Sequence, residues 1–195
     1  MSPSVVALAG PNGAGKSTAG HALLKETLGI TEFVNADVIA RGLSAFDPER
    51  AAIAAGRVLL RRIRELADRR ESFAFETTLA SRSFAPWLAG LATQEYVFHL
   101  VFLWLPSADI AVRRVQARVQ AGGHAVPEIT VRRRCESGLR NFFDLYRPIA
   151  RTWRLYDNSS ESPRLIAGGA GARATRVPDK ALWRRIEESH GGPKA

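Results

Sequence analysis

Apolar positions along this chain alternate between short continuous runs and longer runs with helical spacing. Val5-Val6-Ala7-Leu8-Ala9 is a continuous run, the mark of a parallel strand buried on both faces. Residues 4–10 therefore read as a first strand, followed by a glycine-rich loop and a helix to about residue 28. Thr31–Ala36 predicts a short second strand. Asp47-Pro48 is a cap-then-proline signal that opens a helix. Within it Gly56, Leu59, Leu60, Ile63, Leu66 and Ala67 recur at helical spacing, and the intervening Arg61, Arg62, Arg64, Asp68 and Arg69 form a solvated face. Ser72–Thr77 predicts a third strand, residues 83–94 a helix, and Val97–Leu105, the longest apolar run, a central strand. Ala108, Val112, Val115 and Val119 stripe a helix that Gly122–Pro127 interrupts, and another helix spans about 128–146. Arg151–Tyr156 and Pro163–Ala167 are expected late strands, Gly168–Gly171 a turn, and 178–189 a helix capped near Gly191. Strands alternating with helices predict an α/β three-layer domain with a mainly parallel sheet. No repeat or linker divides the 195 residues, a length that suits one domain spanning 1–195.

The loop after the first strand carries the chemistry. Gly10-Pro11-Asn12-Gly13-Ala14-Gly15-Lys16-Ser17-Thr18 fits G-x-x-x-x-G-K-[ST], between a strand and a helix as that motif requires. Chance would align the four fixed positions at a given site on the order of once in 30,000. In this context backbone N–H groups converge on phosphate and the helix dipole adds to them. Pro11 has no N–H to offer, so the anion nest is expected from Gly13, Ala14, Gly15, Lys16 and Ser17. Lys16 is expected at the β- and γ-phosphates of ATP, the Ser17 hydroxyl on Mg²⁺, and Gly10, Asn12 and Thr18 among the nucleotide contacts.

Charge and composition narrow the class. The net charge is +9, and 24 of the 28 basic residues are Arg. No RNA- or DNA-binding signature accompanies that charge, and aromatic residues do not interleave with the basic ones. A field that steers an anionic small substrate is the plainer account. The first residues show no basic then apolar leader, and nothing approaches 18 uninterrupted apolar residues, so no membrane role is expected. Cys135, the single cysteine, has no partner for an internal disulfide, which agrees with an expected cytoplasmic location.

Ligands of open α/β sheets sit beyond the carboxyl ends of the strands. Asp37 follows the second strand directly and Glu76 ends the third. Asp37 is either a helix N-cap or a general base, and Glu76 either a satisfied polar residue or a group that orients an acceptor or a metal-bound water. A carboxylate base beside a triphosphate loop suits an alcohol acceptor, because a nucleoside monophosphate already offers an anionic nucleophile. Arg113, Arg114 and Arg118 precede the 122–127 break, and Arg132, Arg133 and Arg134 follow it. Most of these read as a solvated helix face. Nevertheless, Arg on both sides of a flexible segment is the layout of a lid, about 119–131, whose guanidinium forks close on the transferring phosphoryl group. Arg118 and Arg134 are placed to enter the cleft, though spacing leaves open which of 132–134 does so. His124 reads as an ordinary loop histidine.

Taken in order, GPNGAGKST (10–18), NADVIARGL (35–43), FETTL (75–79), RVQAGGHAVPE (118–128), RRRCESGLRNF (132–142) and LYDNS (155–159) resemble the zeta toxin family, including its shorter UDP-N-acetylglucosamine kinases. The resemblance implies a nucleoside-monophosphate-kinase-like P-loop fold and ATP-dependent phosphorylation of the 3′ hydroxyl of the N-acetylglucosamine in UDP-N-acetylglucosamine. It implies Lys16 as the phosphate lysine, Asp37 as the base, Glu76 on the sugar, and Arg118 with Arg133 or Arg134 as phosphate clamps. Thr77, Thr78, Arg82 and Arg133 are the further expected substrate contacts. The chain lacks the extra C-terminal segment of the family's plasmid toxins, so an antitoxin partner is a weaker expectation. The competing reading, a partner-driving ATPase, lacks an LSGGQ-like signature and an apolar strand ending in Asp-Glu.

Overall fold

The computed structural model describes residues 2–21, 24, 30–45, 48–123 and 125–190. The elements in chain order are β1 (Ser4–Ala9), α1 (Lys16–His21), β2 (Glu32–Val34), α2 (Ala36–Leu43), α3 (Pro48–Asp68), β3 (Phe73–Thr77), α4 (Phe84–Ala92) and β4 (Val97–Trp104). They continue with α5 (Ala108–Gln120), α6 (Glu128–Asn141), a π-helical turn (Phe142–Tyr146), β5 (Thr152–Asp157), β6 (Arg164–Ala170), β7 (Arg173–Arg176) and α7 (Lys180–His190). The strands form one sheet in the order β2-β3-β1-β4-β5-β6-β7. The first five run parallel, and β6 and β7 add antiparallel at one edge. This is a mainly parallel, P-loop kinase-like α/β fold.

Because β1 is central, its side chains feed two cores by simple alternation. Val5, Ala7 and Ala9 join Phe73, Phe75, Phe102, Phe142, Trp153 and Trp183 on one face. Val6 and Leu8 join Leu103, Val112, Val115 and Val131 on the other. The α6 helix takes part in both, Val131 in one cluster and Leu139 in the other. It therefore crosses the carboxyl edge of the sheet, which brings its middle residues over the phosphate loop.

Four readings of the sequence are corrected here. The segment from Thr31 was expected as strand through Ala36, but β2 stops at Val34 and helix α2 begins at Ala36. Asn35 caps that helix and Asp37 lies in its first turn, so Asp37 is not the N-cap. The helix expected over 128–146 is α-helical only to Asn141; the wider turn that follows, with Arg147 N–H donating to the Phe142 carbonyl at 2.8 Å, keeps Phe142, Phe143 and Tyr146 all buried. Gly168–Gly171 is not a loose turn. Gly168 and Gly169 lie within β6, paired to a seventh strand that the sequence pattern did not predict. A Cβ on Gly169 would strike the Arg173 carbonyl and come within 2.8 Å of the Trp153 ring, so the β7 backbone and the tryptophan together leave room only for glycine there. The expected ends of α1 near 28 and α7 near Gly191, the cap at Asp47, and His124 lie outside the described residues.

Candidate active site

Parallel pairing brings the carboxyl ends of β2, β3, β1, β4 and β5 to a single edge of the sheet. The phosphate loop leaves β1 there and is wedged tightly. A Cβ on Gly10 would enter the Leu103 carbonyl, one on Gly13 would lie 2.6 Å from the Ala111 carbonyl, and one on Gly15 2.6 Å from Asn158 Nδ2. Gly13 and Gly15 also take φ of +77° each, which favours glycine. Asn158, directly after β5, donates from Nδ2 to the Ala14 carbonyl at 2.6 Å. Arg114 in turn donates to the carbonyls of Asn158 and Ser159, each at 2.7 Å. Arg114 is thus a brace for the loop, and Arg113 is exposed.

Lys16 is buried, and its Nζ donates to the carbonyls of Gly10 at 2.8 Å and Pro11 at 2.9 Å. Glu76 Oε1 lies 3.6 Å from the same nitrogen. Burial pushes the Lys16 ammonium below its ordinary pKa, while Glu76 and Asp37 favour its charged form. Glu76 Oε2 accepts from Ser17 Oγ at 3.0 Å and from Asn35 Nδ2 at 2.7 Å. Asp37 faces Arg118 with an Oδ2–Nη1 distance of 4.0 Å. Arg118 closes α5 just before Gly122, which takes φ of +82°. Gly123 then packs on the Arg118 side chain so closely that a Cβ would approach its Cγ to 2.6 Å. The two glycines thus let the Arg118 stem lie flat against the turn.

Of residues 132–134, Arg134 reaches the phosphate loop. Its Nη1 donates to Asn12 Oδ1 at 3.0 Å, and it is half-buried. Burial works against its charge, as does neighbouring Arg133, while Asp37 favours it. Arg132 points elsewhere, paired with Glu128 at 2.8 Å and Asp109 at 2.7 Å. A cavity of about 220 Å³ is lined by Asn12, Lys16, Asn35, Asp37, Glu76, Thr77, Thr78, Val126 and Arg134, among others. Arg82 and Arg133 are exposed and lie outside that lining. The wall at Thr78 is held by α6: Gly138 leaves room for the Thr78 carbonyl, and the buried Asn141 donates from Nδ2 to the Leu79 carbonyl at 2.7 Å.

Four residues of the site had no assigned role in the sequence reading: Asn35, Asn158, Gly138 and Asn141. All four sit inside segments already singled out. The signal that would find Asn35 and Asn158 is an amide immediately after a buried strand, where a site at the strand ends needs fixed donors.

The arrangement fits a nucleoside triphosphate with a divalent ion. The loop admits no side chains at its three glycines, and a buried ammonium lies beneath it. Among the described residues no group of three His, Cys, Asp or Glu could hold a metal by itself. A Ser17 hydroxyl with one adjacent carboxylate is the sparse protein donor set that suits Mg²⁺ bound chiefly through phosphate and water.

Comparison with known proteins places the chain in a family. The model of the AAA_33 family, described as an AAA domain, matches residues 5–137. A protein of Haemophilus influenzae (strain ATCC 51907 / DSM 11121 / KW20 / Rd), described as uncharacterized, is 27% identical over 134 residues, covering 69% of this chain and 94% of its own. Among solved structures, the AvrRxo1-ORF1:AvrRxo1-ORF2 complex with sulphate ions superposes with a TM-score of 0.74 at 18% identity over 95% of this chain. This chain spans 64% of the length of that one. The PezAT chromosomal toxin–antitoxin system of Streptococcus pneumoniae gives a TM-score of 0.66 at 14% identity, covering 100% of this chain and 81% of the other. These likenesses establish the fold.

Proposed function

Since the chain belongs to the AAA_33 family and carries a P-loop kinase-like fold, we propose that it is an ATP-dependent phosphotransferase acting on an alcohol. The acceptor is the 3′ hydroxyl of the N-acetylglucosamine in UDP-N-acetylglucosamine, and residues 1–195 act as one kinase domain. One observation carries the reading: Lys16, Asp37, Glu76 and Arg134 line one cavity, with Arg118 at its rim.

Gly10 to Thr18 cradle the triphosphate, and Lys16 leaves the Gly10 and Pro11 carbonyls to meet the β- and γ-phosphates. Ser17, with Glu76 nearby, would hold Mg²⁺, which would supply charge neutralisation. Asp37 accepts the proton of the acceptor hydroxyl as its oxygen bonds to the γ-phosphorus. The bond from that phosphorus to the β–γ bridging oxygen breaks, and ADP departs. Glu76, with Thr77 and Thr78, orients the sugar. Arg118 and Arg134 hold the moving phosphoryl oxygens from the α5 and α6 sides.

Incubation with UDP-N-acetylglucosamine, ATP and Mg²⁺ should add one phosphoryl group to the nucleotide sugar by mass spectrometry. An unchanged mass would overturn the acceptor assignment. A smaller alcohol is the second reading, favoured by the modest cavity, which matches a sugar better than a whole nucleotide sugar. Labelled ATP offered with polyols, dinucleotides and antibiotics separates the two. Arg118→Ala should lower kcat by about 10²-fold or more while the KM for ATP changes little, as expected for an oxyanion clamp. A change confined to KM would remove Arg118 from that role.

The AvrRxo1 neighbour is a two-chain complex and the pneumococcal one a toxin–antitoxin system, which supports a neutralising protein partner for this chain as well. An ATP-bound form of the first complex likewise supports ATP as the nucleotide. Among the described residues no helix is long and apolar enough to cross a membrane, and a cytoplasmic site of action belongs to the same proposal.

A further inference from the structure

We infer that Asn35 is a positioning residue that ties the base-bearing helix to the substrate-orienting carboxylate; this rests on the acceptor reading above. Its side chain is buried and engaged at both ends. Oδ1 accepts from the N–H groups of Asp37 at 2.8 Å and Val38 at 3.3 Å. Nδ2 donates to Glu76 Oε2 at 2.7 Å. The partners dictate the amide's orientation. Turned over, its oxygen would face a carboxylate and its NH₂ two N–H donors.

Backbone register makes the bridge possible. In the parallel pair β2–β3, Val34 lies opposite Phe75, so Asn35 and Glu76 are the next residues along their strands. Asn35 therefore connects the end of β3 to the first turn of α2, where Asp37 sits. Glu76 has two other partners, Ser17 and Lys16, and both belong to the phosphate loop. Once nucleotide draws Lys16 and Ser17 to phosphate and metal, Asn35 is the partner that keeps the Glu76 carboxylate aimed at the acceptor.

Few residues do both jobs. Aspartate caps a helix equally well but would set carboxylate against carboxylate, and serine caps without reaching Glu76. That difference gives the test. Asn35→Ser keeps a cap, so its thermal midpoint should stay near that of the unmutated protein, whereas Asn35→Ala should melt lower. Asn35→Ser should raise the KM for UDP-N-acetylglucosamine about tenfold, the scale of one hydrogen bond to a charged group, with the KM for ATP little changed. In a Glu76→Ala background, which has no acceptor for Asn35 Nδ2, the same change should add almost nothing, since the two act as one unit. An unchanged acceptor KM in Asn35→Ser, or full additivity with Glu76→Ala, would overturn the inference.

A second measurement does not depend on turnover. A crystal structure of nucleotide-free Asn35→Ser should show the Glu76 carboxylate displaced from its original position, and a carboxylate that superposes on the original overturns the role of Asn35. If the unmutated protein transfers nothing to UDP-N-acetylglucosamine, the acceptor reading alone falls, and this displacement decides the matter for Asn35.

Discussion

Replacing Lys16 with methionine is expected to abolish phosphoryl transfer, with kcat/KM falling by at least about 10³-fold, the scale of losing a cation from a phosphoryl clamp. The ammonium is held by the carbonyls of Gly10 and Pro11 and faces Glu76 at 3.6 Å. It is buried beneath the loop. Burial already disfavours its charge, and the triphosphate would restore it. The fold should survive the change. Methionine removes a desolvated charge, which favours the folded state, but leaves two carbonyls without their donor, which opposes it. The melting temperature is expected to move by only a few degrees. Steady-state transfer with labelled ATP, read beside thermal denaturation, checks both halves. Transfer within tenfold of the unmutated rate would remove Lys16 from the chemistry.

Asp37→Asn is expected to leave ATP binding intact while lowering kcat about 10²- to 10⁴-fold, the contribution of a positioned general base. The side chain is half-exposed in the first turn of α2 and takes no part in its cap, because Asn35 supplies the capping oxygen and takes from Asp37 only the backbone N–H. Asparagine fits the same helical site and keeps a polar group toward Arg118, but it loses both the negative charge facing that guanidinium and the capacity to accept a full proton. Equilibrium binding of ATP and single-turnover transfer separate binding from chemistry. A single-turnover rate equal to that of the unmutated protein would show that the alcohol's proton leaves by another route.

Glu76 and the arginines show how much of the site was legible in advance. Glu76 at the end of β3 followed from the strand pattern and the rule that ligands gather beyond strand ends. Its simultaneous contact with Ser17, Lys16 and Asn35 did not, since those residues lie 41 to 60 positions away and meet only through the order β2-β3-β1. Arg132, Arg133 and Arg134 are chemically equal in a string of letters. Helical geometry separates them by about 100° each, but which one faces the loop depends on how α6 is rotated. Val131 and Leu139, buried in the two cores, set that rotation and leave Arg134 against Asn12.

From the residues alone came the phosphate loop, the parallel α/β architecture and the carboxylates and arginines at the strand ends, because each depends on local backbone geometry or on the period of apolar burial. Tertiary structure decided the contacts that turn those residues into one site. Asn35 bridges two strands, Asn158 and Arg114 brace the loop from distant parts of the chain, and Gly169 in β6 lies against both the β7 backbone and the Trp153 ring. Those outcomes are pairings across long sequence distances, and hydrogen-bond satisfaction in a packed interior selects among partners that no local pattern ranks.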